Sequence, residues 1–136
     1  MTFLLHPQLA KDCLPVGDLN VCRVLLMNNR HFPWLILVPR REGVRELFDL
    51  NVPEYASVMA ELRIVAAQFA AYTRAHKINI AALGNRVPQL HIHVVARFEG
   101  DAAWPNPVWN CGIAPVSYSL QTGTEKISEI RAALHV

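Results

Sequence analysis

Two histidines, His91 and His93, stand two residues apart in a run from Gln89 to Arg97 that alternates polar and aliphatic side chains. In an extended strand, neighbouring residues point to opposite faces. Gln89, His91, His93, Val95 and Arg97 then share one face, and Leu90, Ile92, Val94 and Ala96 the other. The aliphatic face suits a core. The opposite face holds Gln, two His and Arg where a solvated strand would more usually carry Thr, Lys, Glu or Ser. Same-face residues lie about 6.6 Å apart, at roughly 3.3 Å per residue, so both imidazoles can address one ligand. Neutral imidazole is a nucleophile near pH 7, a proton carrier and a metal ligand. From the residues alone three readings stand: a pair of rings satisfied by nearby carbonyls, a His-x-His metal pair, or a catalytic pair. The sequence neighbourhood supplies neither a carboxylate nor a third His to complete a metal set.

The elements around this segment are legible from period and punctuation. Val21 to Asn28 and Trp34 to Arg40 are short apolar runs joined by Asn29-Arg30-His31-Phe32-Pro33, which predicts a hairpin. Asn51 followed by Glu54 has capping-box spacing, and Pro53 is tolerated in a first helical turn. Tyr55, Val58, Met59, Leu62, Val65, Ala66 and Phe69 then recur at three and four residues. They predict a core-facing helix of about six turns, running to around His76. Ile78 to Leu83 and Leu90 to Arg97 read as two further strands about the turn Gly84 to Pro88. The stretch FEGDAAWPNPVWNCG, with two prolines and two glycines, reads as an irregular loop. Thr122 to Glu125 repeats the capping-box spacing before Ile127, Ile130 and Leu134, which predicts a C-terminal helix. Together these elements predict an α+β fold: an antiparallel sheet of about five strands with one long helix and a C-terminal helix.

Composition narrows the function classes. A chain of 136 residues fits a single domain, residues 1–136, and 52% hydrophobic against 18% charged residues is enough for a core. The positive mean hydropathy predicts surplus apolar surface, and symmetric dimers most often absorb such a surplus, so a homodimer is expected. A net charge of +2 with Arg40-Arg41 as the densest basic pair predicts no nucleic-acid partner. Cys13, Cys22 and Cys111 are an odd number without CxxC spacing, which argues for free thiols rather than disulfides or a zinc ribbon. The start MTFLLHPQLAKD lacks a basic region, and its apolar run stops at His6, so no signal peptide is expected. No stretch reaches the roughly 20 apolar residues of a membrane span. A cytoplasmic protein with no membrane association is the expectation by elimination.

Residues 89 to 95, Gln-Leu-His-Ile-His-Val-Val, resemble the histidine triad signature His-φ-His-φ-His-φ-φ, in which φ is apolar; Gln89 replaces the first His. Gly84-Asn85-Arg86-Val87-Pro88 is similar to the turn that precedes the triad in the fragile-histidine-triad and diadenosine polyphosphate hydrolase branch. WLILVPR resembles the family's hydrophobic strand ending in Pro. The resemblance covers roughly residues 20 to 98; residues 99 to 136 vary within the family, and FEGDAAWPNPVW looks like a bacterial subgroup of HIT-like hydrolases.

The resemblance implies a HIT-like fold and a hydrolase or nucleotidyl transferase acting at an α-phosphate through a covalent nucleotidyl-histidine. His91, as the middle His, would be the nucleophile. His93 would hold the attacking ring and donate to phosphate oxygens, and Gln89 would occupy the orienting position without the ability to carry a proton. No cofactor or metal is required by this scheme. Substrates would be dinucleoside polyphosphates, adenylylated compounds or nucleoside phosphoramidates. Asn28 matches the position that meets the ribose hydroxyls, with Asn29 as an alternative, and Asn79 and Asn85 match further nucleotide-contacting positions. Loss of the first His leaves open a catalytically weak nucleotide-binding sensor, and less strongly a His-x-His metal-binding protein. His31 is expected on an exposed hairpin, and Trp104 and Trp109 either in packing or stacked on a base.

Overall fold

The computed structural model describes residues 2–136. Its elements run α1 (Pro7–Asp12), β1 (Cys13–Asp18), β2 (Cys22–Met27), β3 (Trp34–Pro39), a 3-10 turn (Leu47–Asp49), α2 (Val52–Thr73), β4 (Lys77–Ala81), β5 (Ile92–Arg97) and α3 (Leu120–Leu134). The strands form one five-stranded sheet in the order β1-β2-β3-β5-β4. Every neighbouring pair is antiparallel. The α+β architecture is therefore the one the periodicities predict.

The long helix starts as its cap dictates. The Asn51 side chain accepts from the Glu54 amide at 2.9 Å, and the Glu54 carboxylate accepts from the Asn51 amide at 3.2 Å. Two otherwise orphaned donors are thereby satisfied. Val58, Leu62, Val65 and Phe69 are buried on one side, while Tyr55 at the head of the predicted stripe is exposed. The helix stops at Thr73 rather than near His76, because Arg74 adopts the left-handed conformation with φ of 56°. From there the chain turns back, and the His76 amide donates to the Arg97 carbonyl in β5.

Besides α2, which ends early, and β4 and β5, whose bounds shift to Lys77–Ala81 and Ile92–Arg97, three elements differ from the sequence reading. β1 is an added edge strand whose Pro15 and Gly17 read as breakers; at an edge a missing N–H does little harm, and the register shifts between those two residues. α1 is a short helix capped by His6, whose Nδ1 accepts from the Gln8 amide at 3.0 Å. α3 begins at Leu120, ahead of the expected Thr122, because the Ser119 hydroxyl caps it by accepting from the Thr122 amide.

Both sheet faces are covered. Val24, Leu26, Leu35, Leu37, Ile92, Val94 and Ala96 pack against α2 and α3 in one core. Leu25, Trp34, Ile36, Val38 and Val95 face the other way, under a layer from α1 and the segment after β5 that includes Leu9, Ala103 and Val108. The polar face of the 89–97 run is thus an interior face, and the site opens from within this second layer. No helix among the described residues is long and apolar enough to cross a membrane.

Candidate functional site

β5 positions His93, which lies opposite Ile36 of β3 on one side and Ala81 of β4 on the other. His91 precedes the strand by one residue, so the alternation does not extend unbroken to Gln89. Both rings are largely enclosed, His91 at 7% and His93 at 6% exposure, with centroids 5.0 Å apart. They line a cavity of about 580 Å³ with Leu83, Gly84, Asn85, Arg86, Trp109 and others. A second cavity, about 460 Å³, is lined by Lys11, Asp12, Asn28, Asn29, Trp34 and Ile113 among others, and it shares Trp109 and Asn110 with the first. Both volumes lie in the range of small-molecule sites, roughly 300–1,000 Å³.

The hydrogen bonds assign a proton to each ring. His91 Nδ1 lies 2.6 Å from the Gln89 carbonyl oxygen. A carbonyl only accepts, so Nδ1 carries the proton and Nε2 keeps its lone pair. His93 Nδ1 accepts from the indole N–H of Trp34 at 3.0 Å. An indole N–H only donates, so a neutral His93 carries its proton on Nε2. Burial, with the neighbouring His91 ring as the second cause, pushes His93 down to about 4. His93 is therefore neutral at physiological pH. One cavity is lined by a ring with a free lone pair and a ring with a free N–H. Among the described residues, no protein group hydrogen-bonds either Nε2.

The other predicted site residues are distributed unevenly. Asn85 lines the His cavity. Asn28 and Asn29 line the adjoining one, and both amide oxygens also secure the segment before α3: Asn28 accepts from the Tyr118 amide at 2.9 Å and Asn29 from the Val116 amide at 3.5 Å. Asn79 is not brought to either cavity; its amide oxygen accepts from the buried Arg97 guanidinium at 2.9 Å. The Gln89 side chain is not in the His cavity either. It clamps the N-terminal segment, accepting from the His6 amide and donating to the Leu4 carbonyl, each at 2.9 Å. A primary amide matches a peptide in both directions, which suits Gln to this two-point contact. The position orients His91 through its main-chain carbonyl instead.

His31 is half-buried beside Phe32 and lines neither cavity. Trp104 lies against His76 and over Arg97, whereas Trp109 meets His93 edge-on at 5.4 Å. Trp34 and Arg86 were not singled out from sequence. Trp34 is found only through the β3–β5 register, although an indole that follows Pro33 at the head of a strand is the available signal.

Burial pushes the Cys13 thiol up to about 12 and raises Cys22 as well, so neither supplies a thiolate nucleophile. Among the described residues no three His, Cys, Asp or Glu side chains converge as a metal-binding group.

Comparison with known proteins places this geometry in context. The HIT domain family model matches residues 8–100. A histidine triad protein from Bradyrhizobium japonicum is 41% identical, superposes with a TM-score of 0.93, and the match covers 97% of this chain and 98% of that one. A histidine triad protein from Sinorhizobium meliloti is 42% identical, with a TM-score of 0.93 and coverage of 97% of both chains. A hypothetical histidine triad nucleotide-binding protein from Sulfolobus tokodaii shares the fold at 13% identity, with a TM-score of 0.68 over 90% of this chain and 84% of that one. No curated protein matches the chain.

Proposed function

The chain belongs to the HIT domain family, and from that premise we propose that it is a nucleotide phosphohydrolase or nucleotidyl transferase acting at an α-phosphate, with His91 as the nucleophile. The observation that carries this reading is the pair of opposite tautomers at one cavity. His91 Nε2 offers a lone pair, and His93 offers an Nε2–H to a phosphate oxygen. In the first step His91 Nε2 bonds to phosphorus, and the leaving group departs with the electron pair of its broken bond to phosphorus. The His91 ring then bears positive charge, and the Gln89 carbonyl stabilises it through Nδ1–H. In the second step the oxygen of water, or of an acceptor in a transferase, bonds to phosphorus as the phosphorus–nitrogen bond breaks, its electron pair returns to His91 Nε2, and the attacking oxygen loses its proton to solvent. Two easier displacements replace one hard one.

The adjoining cavity suits a nucleoside: Asn28 and Asn29 provide amide groups beside Trp34 and Trp109. The fit to the Sulfolobus protein supports a nucleotide as ligand at the level of the fold. Dinucleoside polyphosphates, adenylylated compounds or nucleoside phosphoramidates are the proposed substrate classes, and the scheme runs without a metal or other cofactor. The test is incubation with α-phosphate-labelled substrates of each class in EDTA. Acid-labile, base-stable label on His91, with turnover unchanged by chelation, is the expected result. Nucleotide binding at micromolar concentration without label or turnover would instead make the protein a sensor. Stoichiometric metal released by His91→Ala would favour the metal-binding alternative.

The reading includes a homodimer. Phe48 and Val52 are 84% and 81% exposed, and β4 leaves one edge of the sheet unpaired with Ile80 and Leu83 exposed near it. A second copy of the chain is the occupant that would cover this surplus. Light scattering at micromolar concentration is expected to give the dimer mass, and a monomer mass would remove the claim.

A further inference from the structure

Trp34 opens β3, where it pairs with Val95, while its same-face neighbour Ile36 pairs with His93. The antiparallel register therefore sets the indole diagonally beside the imidazole, within reach of a large aromatic side chain. Its Nε1–H meets His93 Nδ1 at 3.0 Å in a buried contact, and the ring centroids lie 5.6 Å apart. On another side Trp109 contacts both rings, 5.4 Å from His93 and 6.0 Å from Trp34. The imidazole is thus fixed in position by two indoles and in protonation by one of them.

We propose that Trp34 is a positioning residue for nucleotidyl transfer: it holds His93 in the neutral Nε2–H tautomer, so that the ring meets the transferring phosphate as a hydrogen-bond donor. The assignment of a role in catalysis rests on the reading of His91 as nucleophile. The assignment of the tautomer rests on the hydrogen bond alone. With Nδ1 engaged by a donor, His93 cannot take a second proton without breaking that bond, so the contact disfavours the imidazolium. Loss of the bond would let Nδ1 accept a proton or water, and the ring could then present its free lone pair, rather than a donor, to an anionic phosphate.

The groups that face His93 leave this control to Trp34. His91 is 5.0 Å away and Arg86 lines the same cavity, while Lys11 and Asp12 line the adjoining cavity on the Trp34 side. Among the described residues no carboxylate lines the His cavity. No acidic group there competes to protonate the ring.

The test reads the nitrogens directly. Wild-type protein labelled with ¹⁵N-histidine is expected to show His93 with an unprotonated Nδ1 and a protonated Nε2 at pH 7, without titration down to about pH 5. Trp34→Phe keeps most of the aromatic volume and removes the donor. It should move the His93 titration upward, while burial and the His91 ring still hold it below the ordinary imidazole range. The acid limb of kcat/KM should shift with it, and kcat should fall about tenfold, less than the roughly 10²–10⁴-fold of a directly acting group. A wild-type His93 that is protonated on Nδ1 overturns the proposal whether or not the variant folds. Unchanged His93 nitrogens and an unchanged pH profile in a folded Trp34→Phe protein overturn it as well. Absence of label on His91, with the expected wild-type nitrogens and the expected titration shift in Trp34→Phe, would defeat the transfer reading and uphold the tautomer control.

Discussion

His91→Ala is expected to lower turnover of any α-phosphate substrate by about 10⁴-fold or more, the scale on which removal of a covalent nucleophile acts, and to leave nucleotide affinity nearly unchanged. The two effects separate because the residues differ in what they touch. His91 lies ahead of β5 with its ring on the cavity, outside both apolar clusters, so its truncation leaves the packing of the sheet intact. The adjoining cavity keeps Asn28, Asn29 and Trp109. His93→Ala should cost less, roughly 10²–10⁴-fold, as loss of a positioned donor does. Single-turnover kinetics and calorimetric titration with the mononucleotide distinguish chemistry from binding. Retention of more than a tenth of wild-type turnover by His91→Ala would remove His91 from the mechanism.

The pH profile carries a sign of its own. Burial and the His91 ring depress His93 to about 4, so its donor proton is in place and its charge absent throughout neutral pH. Protonation of His93 should affect the rate only as pH falls toward that value.

What the sequence disclosed about this site follows from how far apart the cooperating residues are. The Asn51–Glu54 box and the Val58, Leu62, Val65, Phe69 stripe are local, and they read correctly because a helix satisfies its ends and buries one side within a few turns. The alternation of β5 is local too, and it placed Ile92, Val94 and Ala96 in the core. β1 was hidden because Pro15 and Gly17 carry turn signals, and only its position at the sheet edge makes them harmless. The Gln89 side chain was misplaced by strand alternation because the chain becomes extended sheet only at Ile92. Its real partners, Leu4 and His6, lie more than eighty positions away. Trp34 and His93 are 59 positions apart, and nothing short of the β3–β5 register joins them. The irregular segment after β5 read as a loop, which it is. That it walls both cavities with Trp109 and Asn110 is a fact of packing without a periodic signature.

That segment is held at its start by one buried ion pair, and Asp101→Ala is expected to be the most destabilising substitution in the site's surroundings. Arg97 is almost inaccessible, and its guanidinium donates to Asp101 at 2.8 and 3.1 Å, to Asn79 at 2.9 Å and to the Asn106 carbonyl at 2.8 Å. The rings of Phe32 and Trp104 lie beside it. Asp101 in turn accepts from the amides of Phe98, Ala103 and Trp104, so one carboxylate organises the whole turn. Truncation leaves a buried cation without its carboxylate partner and the Phe98 and Ala103 amides without their acceptor, while the Trp104 amide keeps the Asp101 main-chain carbonyl, a loss of about 3–5 kcal/mol. Against a typical total of about 5–15 kcal/mol this is a large fraction. The acid dependence fixes the cause. Burial works to raise the Asp101 pKa, but the Arg97 hydrogen bond, the Phe98 and Ala103 amides and the Arg97 charge outweigh it and hold the carboxyl at about 2. An unfolded aspartate titrates near 3.9, so the pair contributes fully above about pH 4, and that contribution is lost as pH falls through about 2. The gap in unfolding free energy between wild type and Asp101→Ala should therefore be widest at neutral pH and narrow between pH 4 and pH 2. Urea unfolding at pH 7 and at pH 2.5 measures it. A gap under about 1 kcal/mol at pH 7, or one that persists undiminished in acid, would show that the Arg97–Asp101 pair does not anchor the segment that walls the site.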